Sequence, residues 1–380
     1  MPTEYVLLRS VPGGFESSDP AASGQELAVQ LETLDLAGFV ARRDDRSVVG
    51  IAPVMPIRLI APVGRAEPGP GAAGASWGID AVGATACPHD GAGVCVAVLD
   101  TGIDASHPAF AGVDLIEHDF TGAGNCDAVG HGTHCAATIF GRDVDGVRIG
   151  IARGARRALI GKVLDDAGNG TSDAILRGVR WAVDSGAHII SMSLGYDFPR
   201  MVQMLVEDGL PQPAAISQTL VTYRANLRLF DAMMDLLGAQ SAFSQDTLLV
   251  AASGNESERP RYTIATSLPA AARGVIAVGA VEQGGAGLAI AGFSNTFPHV
   301  CAPGVGILSA RSGGGLIEMS GTSMATPHVA GVAALHWQAL GDDASAVRVA
   351  AALVAGARRK PFAGRFAAAD HGAGLVTAPA

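Results

Sequence analysis

Continuous apolar runs set the framework of the chain. Val94–Leu99 (VCVAVL) is unbroken and rich in β-branched residues, as expected of a strand buried on both faces. Comparable runs predict strands at Ala158–Leu164, His188–Met192, Thr247–Ala251 and Gly274–Val281. Between them the pattern changes to a helical one. Gly132–Phe140 is small and helix-compatible. Ser172–Ser185 places Ile175, Val179, Ala182 and Val183 on one face, and Thr171 or Ser172 can cap it. Thr322–Leu340 reads as a long Ala-rich helix containing Pro327. Strands alternating with helices imply right-handed crossovers, and so an α/β fold with a mostly parallel sheet and helices on both faces.

Upstream the pattern differs. Residues 1–61 read as a small α+β N-terminal unit. Glu4–Ser10 has strand character, and Ser47–Ile51 and Met55–Ile60 are β-rich. Gln25–Ala37 is expected to be helical, although Leu27, Val29, Leu31, Leu34 and Leu36 mix two periods. Residues 62–74 are too dense in Pro and Gly to continue a helix or a central strand, which makes them a linker. Residues 75–380 form the larger domain.

Composition narrows the function classes. The hydrophobic fraction of 48% excludes bulk disorder. Net charge is −10 and no basic block exceeds Arg358-Arg359-Lys360, so a nucleic-acid partner is not expected. The longest apolar runs fall far short of the ~20 residues that span a bilayer, so neither is a membrane. The N-terminus lacks a basic stretch followed by an apolar one, which sets the expectation of a cytoplasmic location. A monomer is expected. Five cysteines (Cys87, Cys95, Cys126, Cys135, Cys301) do not form a disulfide framework. Reduced thiols are expected, with one bridge through Cys87 or Cys126 left open. No C-x-x-C spacing suggests zinc.

Four segments carry candidate chemistry. Asp100, in Val98-Leu99-Asp100-Thr101-Gly102, ends a buried strand, where α/β folds place their sites. His131, in Gly130-His131-Gly132-Thr133-His134-Cys135, has small neighbours and the usual base chemistry near neutral pH. Asn255, in Ser253-Gly254-Asn255, follows an apolar strand and can aim an amide at a developing oxyanion. Ser323 opens a helix, where free N–H groups favour negative charge. Each alone has an ordinary reading: a turn cap, a helix histidine, a loop amide, an N-cap. Together they supply a nucleophile, a base, an orienting carboxylate and an oxyanion donor.

These motifs resemble those of the subtilisin-like serine proteases (subtilases). Asp100-Thr101-Gly102-Ile103-Asp104 is similar to the family's Asp motif, and Gly130–Ala136 to its His motif. Gly321-Thr322-Ser323-Met324-Ala325-Thr326-Pro327-His328 is similar to its Ser motif. The resemblance covers roughly residues 75–378, and Cys135 follows the His motif as in the proteinase K-like branch. It implies a serine endopeptidase of subtilisin-like fold acting on polypeptides, with Asp100, His131 and Ser323 as triad and Asn255 in the oxyanion hole. It implies substrate binding between Ser193-Leu194-Gly195 and Gly168-Asn169-Gly170, with Ala252-Ser253-Gly254 walling a roomy, apolar-tolerant pocket. It implies that residues 1–61 are a propeptide-like unit, able to inhibit the chain's own cleft as in a zymogen. No cofactor or metal is required. Ca²⁺ is a candidate at Gly141–Gly146, where Asp143 and Asp145 lie beside Arg142. Asp197–Ala215 is an extra segment, expected either to pack on the sheet with the helix Ala215–Leu237 or to narrow access to the cleft. Two rivals remain: a pseudoenzyme, and another serine hydrolase such as an esterase or peptide ligase. The esterase G-x-S-x-G elbow is absent around Ser323.

Overall fold

A computed structural model describes residues 3–12, 25–64, 67–68, 74–240, 246–364 and 367–380. Its centre is an eight-stranded sheet. The order across it is Gly287–Ile290, Val275–Gly284, Leu248–Ala252, Ile189–Met192, Cys95–Asp100, Arg157–Lys162 and Asp114–Asp119, with Val300–Pro303 also on Val275–Gly284. All pairings are parallel except Val275–Gly284 with Gly287–Ile290. The strand Cys95–Asp100 is buried at every position, which accounts for its unbroken apolar run.

Two cores flank the sheet. One holds Val96, Val98 and Val250 with Cys135, Ile139 and Phe140 of the helix His131–Phe140 and Val329 and Val332 of the helix Thr322–Leu340. The other holds Ala97, Leu99 and Ile190 with Ile175 and Val179 of the helix Ser172–Asp184 and Phe230 and Met233 of the helix Gln212–Gln240. Helices therefore cover both faces, as the alternation of elements implies.

The N-terminal unit is a three-stranded antiparallel sheet in the order Gln25–Leu34, Thr3–Pro12, Val48–Pro53, followed by the strand Pro56–Leu59. The expected helix at Gln25–Ala37 is instead the strand Gln25–Leu34, and only Leu36–Arg43 is helical. Pairing along ten residues of Thr3–Pro12 rewards the period-2 component of the mixed pattern. The true helix start is marked by Asp35, whose carboxylate accepts from Gly38 N at 2.7 Å. The unit seats on the larger domain: Val6, Leu8, Ala52 and Met55 share a core with Leu176, Leu229 and Phe230. Asn226 Nδ2 donates to Pro53 O at 2.9 Å. Ser172 does not cap its helix; its Oγ accepts from Met55 N at 3.0 Å.

The expected linker is partly paired. Glu67–Pro68 joins Leu316–Met319, and Gly74–Ala75 joins Val147–Arg148. Residues 65, 66 and 69–73 of that segment lie outside the described residues, as do 1–2 and 13–24 of the N-terminal unit. The extra segment is helical over Phe198–Glu207. The Phe198 ring packs edge-on against Tyr223, so this helix leans on the long helix behind it.

Candidate active site

The four predicted residues meet at the carboxyl end of the parallel strands. Asp100 is the last residue of its strand, His131 the first of its helix, Ser323 the second of its helix, and Asn255 follows Leu248–Ala252. The chain turns sharply to achieve this. Gly102 has φ +103°, and a Cβ there would sit 2.7 Å from Asn125 O. A Cβ on Gly132 would collide with Gly102 O, which explains the glycine directly after His131.

His131 Nδ1 donates to Asp100 Oδ1 at 2.8 Å, and both side chains are fully buried. Thr101 N donates to the same oxygen at 2.8 Å. Burial alone would push the imidazole down. The Asp100 carboxylate, through its charge and hydrogen bond, outweighs it and holds His131 well above its ordinary pKa. Among the described residues, His131 Nε2 has no hydrogen-bond partner.

Asn255 is oriented by the Ser323 helix. Its Oδ1 accepts from Thr322 N at 2.9 Å and Thr322 Oγ1 at 2.8 Å, leaving Nδ2 facing the cleft. The Ser323 carbonyl accepts from Ser193 Oγ at 3.0 Å and lies 3.4 Å from Cys135 Sγ. That thiol is also 3.8 Å from His131 Nδ1.

The cleft is filled by the chain itself. Pro56–Leu59 lies between Asn169–Thr171 and Leu194–Tyr196 as the middle strand of an antiparallel three-stranded sheet. Arg58 is opposite both Asn169 and Gly195, Ile57 is opposite Gly170 and Leu59 is opposite Leu194. Leu59 N donates to Gly168 O at 2.8 Å. Ser323 Oγ donates to Ile60 O at 2.7 Å, and Asn255 Nδ2 to Ala61 O at 3.0 Å. Val63 N then donates to Ser320 O at 2.7 Å. Thus Leu194, Gly195, Gly168, Asn169 and Gly170 all border one extended segment. Ser193 contributes its carbonyl, 3.5 Å from Ser323 Oγ. Ala252, Ser253 and Gly254 are buried at the strand end beside Asn255.

Sequence reasoning missed the residues that brace this cluster. Asp127, 4% exposed, accepts from Thr101 Oγ1 (2.7 Å), Gly130 N (2.8 Å), Thr133 N (2.8 Å) and Thr133 Oγ1 (2.6 Å). Thr101 Oγ1 in turn accepts from Gly132 N at 3.0 Å. Lys162, fully buried, donates to Thr101 O, Cys126 O and Asp166 Oδ1. The available signal was a carboxylate four residues before His131 and a lone lysine ending an apolar strand.

The calcium expectation meets a poor donor set. Both Asp143 oxygens face Arg153 Nη1, at 2.9 and 3.1 Å, so the loop Gly141–Gly146 keeps Asp145 as its one uncommitted carboxylate against the 6–8 oxygens calcium takes. The residues do not fit that ion. All five cysteines are unpaired. No helix among the described residues is long and apolar enough to cross a membrane.

Fold and cluster define a class: an α/β protein with Asp, His and Ser gathered at the carboxyl edge of a parallel sheet. Comparison narrows it. The chain belongs to the subtilase family (peptidase S8), whose sequence profile matches residues 91–374, well over half of its length. A subtilisin-like protease of Coccidioides posadasii is 37% identical over 254 residues, 64% of this chain and 52% of that protein. A thermostable alkaline protease of Halalkalibacterium halodurans is 35% identical over 268 residues, 68% of this chain and 62% of that protein. Subtilisin Savinase of Lederbergia lenta is 33% identical over 265 residues, 68% of this chain and 82% of that protein. The match therefore spans from 52% to 62% of the first two relatives' own length.

Proposed function

We propose that the chain is a serine endopeptidase working through an acyl-enzyme. In this reading residues 75–380 are the catalytic domain, residues 62–74 the connection, and residues 1–61 an intramolecular occupant of the cleft, as in a zymogen. The supporting observation is the strand Pro56–Leu59, held between two chain segments and running on to set Ile60 O 2.7 Å from Ser323 Oγ. A cleft of this shape takes an extended polypeptide as an added strand.

The geometry supports these roles. Ser323 Oγ attacks the peptide carbonyl carbon while His131 Nε2 takes the hydroxyl proton, then returns it to the leaving amine. Asp100 holds the imidazole through Nδ1 and stabilises the imidazolium. Asn255 Nδ2 and the Ser323 N–H receive the oxyanion. Water then releases the acyl group by the same steps. No step is assigned to calcium.

The resting segment is out of productive register. Ser323 Oγ engages Ile60 O, whereas Asn255 Nδ2 engages Ala61 O. Reaction needs both groups on one carbonyl, which supports an occupying role for the uncut segment. The Ile60 side chain, 4% exposed, lies about 3.5 Å from where a Gly195 Cβ would sit, which supports an apolar preference before the bond. Five unpaired thiols support a reducing, cytoplasmic location.

The test compares full-length wild type with Ser323→Ala on casein and on a short peptide, reading new termini by mass. Cleavage by wild type alone is expected. Equal cleavage by both, or ester hydrolysis with no polypeptide cut, overturns the reading.

A further inference from the structure

The cleft's own occupant carries one charged side chain into it. Arg58 is the third of the docked strand's four residues, opposite Asn169 on one side and Gly195 on the other, two residues before Ile60. Its Nε lies 3.6 Å from Asp197 Oδ2 and its Nη2 lies 3.5 Å from Glu256 Oε1. Both acids belong to the larger domain, and both are fixed by other partners. Asp197 Oδ1 accepts from Arg200 N at 3.0 Å as the N-cap of Phe198–Glu207, and Asp197 N donates to Pro56 O at 2.9 Å. The Asp197 side chain is only 12% exposed. Glu256 Oε2 accepts from Asn295 Nδ2 at 2.7 Å. Each carboxylate thus keeps one oxygen for the guanidinium.

We propose that Asp197 and Glu256 form a cation subsite, which makes this cleft select polypeptides with Arg or Lys at the strand position opposite Asn169 and Gly195. The inference rests on the endopeptidase reading. The subsite is preorganised: the cap and the amide contact hold both acids in place, so little side-chain freedom is lost when a basic residue enters. It is not a buried ion pair, because Arg58 is 44% and Glu256 41% exposed. Its effect on rate is therefore modest, additive to strand pairing, and weakened by salt. Arg suits it better than Lys, since a planar fork reaches two separate acceptors at once.

The experiment measures kcat/KM of the full chain on Pro-Ile-X-Leu-Ile-Ala-Gly peptides with X as Arg, Ala or Glu. The N-terminal unit competes equally with all three, so the ratios are independent of it. Arg should exceed Ala about three- to tenfold, and Glu should fall below Ala, at low salt. The Arg-to-Ala ratio should shrink toward one in 1 M NaCl. It should do the same in Asp197→Asn and Glu256→Gln, Asn being retained as a competent cap. Equal rates for Arg and Ala in the wild type overturn the proposal whether or not the variants fold. If no peptide is cut in a Ser323-dependent way, the endopeptidase reading fails first and the subsite falls with it.

Discussion

Asp127 offers the sharpest test of how the cluster is held. Its carboxylate accepts four hydrogen bonds, two of them from the backbone N–H groups of Gly130 and Thr133 at the start of the His131 helix. Through Thr101 Oγ1 and Thr133 Oγ1 it also reaches Gly132 N and Asp104 N. One side chain therefore ties the end of the Asp100 strand to the first turn carrying His131. Asp127→Ala leaves two buried backbone donors orphaned, each worth about 1–3 kcal/mol. A loss of ~4 kcal/mol is expected, a large share of an ordinary domain's 5–15 kcal/mol. Asp127→Asn keeps one accepting oxygen but turns an N–H₂ toward the remaining donors, for a loss of roughly 2 kcal/mol. The surviving Asn variant should lose about 10–100-fold in kcat, because a shift of ~1 Å misaligns the base. KM should change little, since the segments flanking the docked strand lie elsewhere. Urea unfolding gives the stability and initial rates give the split. An Asn variant within about 0.5 kcal/mol of wild type and with unchanged kcat refutes the bracing role.

Three further predictions follow from individual groups. Asp100 raises the His131 pKa despite burial, so the unprotonated base dominates only above that raised value. The ascending limb of the pH–rate profile should lie on the alkaline side of 6.5, and a rate flat between about pH 5 and 9 contradicts His131 as base. By linkage, the imidazolium–Asp100 pair adds stability that is full below 6.5 and declines as pH climbs through the raised value. Buried His134 and His328 behave oppositely: burial pushes them down to about 3 and about 4. They contribute stability present above 6.5 and lost as pH falls toward those values. Urea midpoints measured from pH 7 to 4 should fall accordingly, and constant midpoints would exclude it. Finally, Cys135 Sγ lies 3.8 Å from His131 Nδ1, so p-mercuribenzoate should abolish activity in wild type and not in Cys135→Ala. Persistent inhibition of that variant would shift the effect to exposed Cys126 or half-buried Cys87.

Much of the site was legible because it sits where strands end. A carboxylate closing an apolar run, a histidine between glycines and a serine opening an Ala-rich helix are local signals, and the parallel sheet brings such ends together. The helix Thr322–Leu340 matches its expected bounds. What failed was non-local. Gln25–Leu34 became a strand because Thr3–Pro12 pairs with it, a partner no single window reveals. Asp127 and Lys162 looked like ordinary polar residues because their partners come from three separate loops. That some part of residues 1–61 could occupy the cleft was expected only through resemblance, and nothing local marked Pro56–Leu59 as the segment that docks. Its register, with Arg58 facing Asp197 and Glu256, depends on residues more than a hundred positions away.

The central claim is that Ser323 is a nucleophile activated by His131, and intact mass after fluorophosphonate treatment tests it most directly. Wild type and Ser323→Ala would be incubated until any self-cleavage is complete, then labelled. The account predicts one adduct on wild type, carried by Ser323, and none on Ser323→Ala. Equal labelling of both chains, or a wild type freed of residues 1–61 that still takes no adduct, would contradict it.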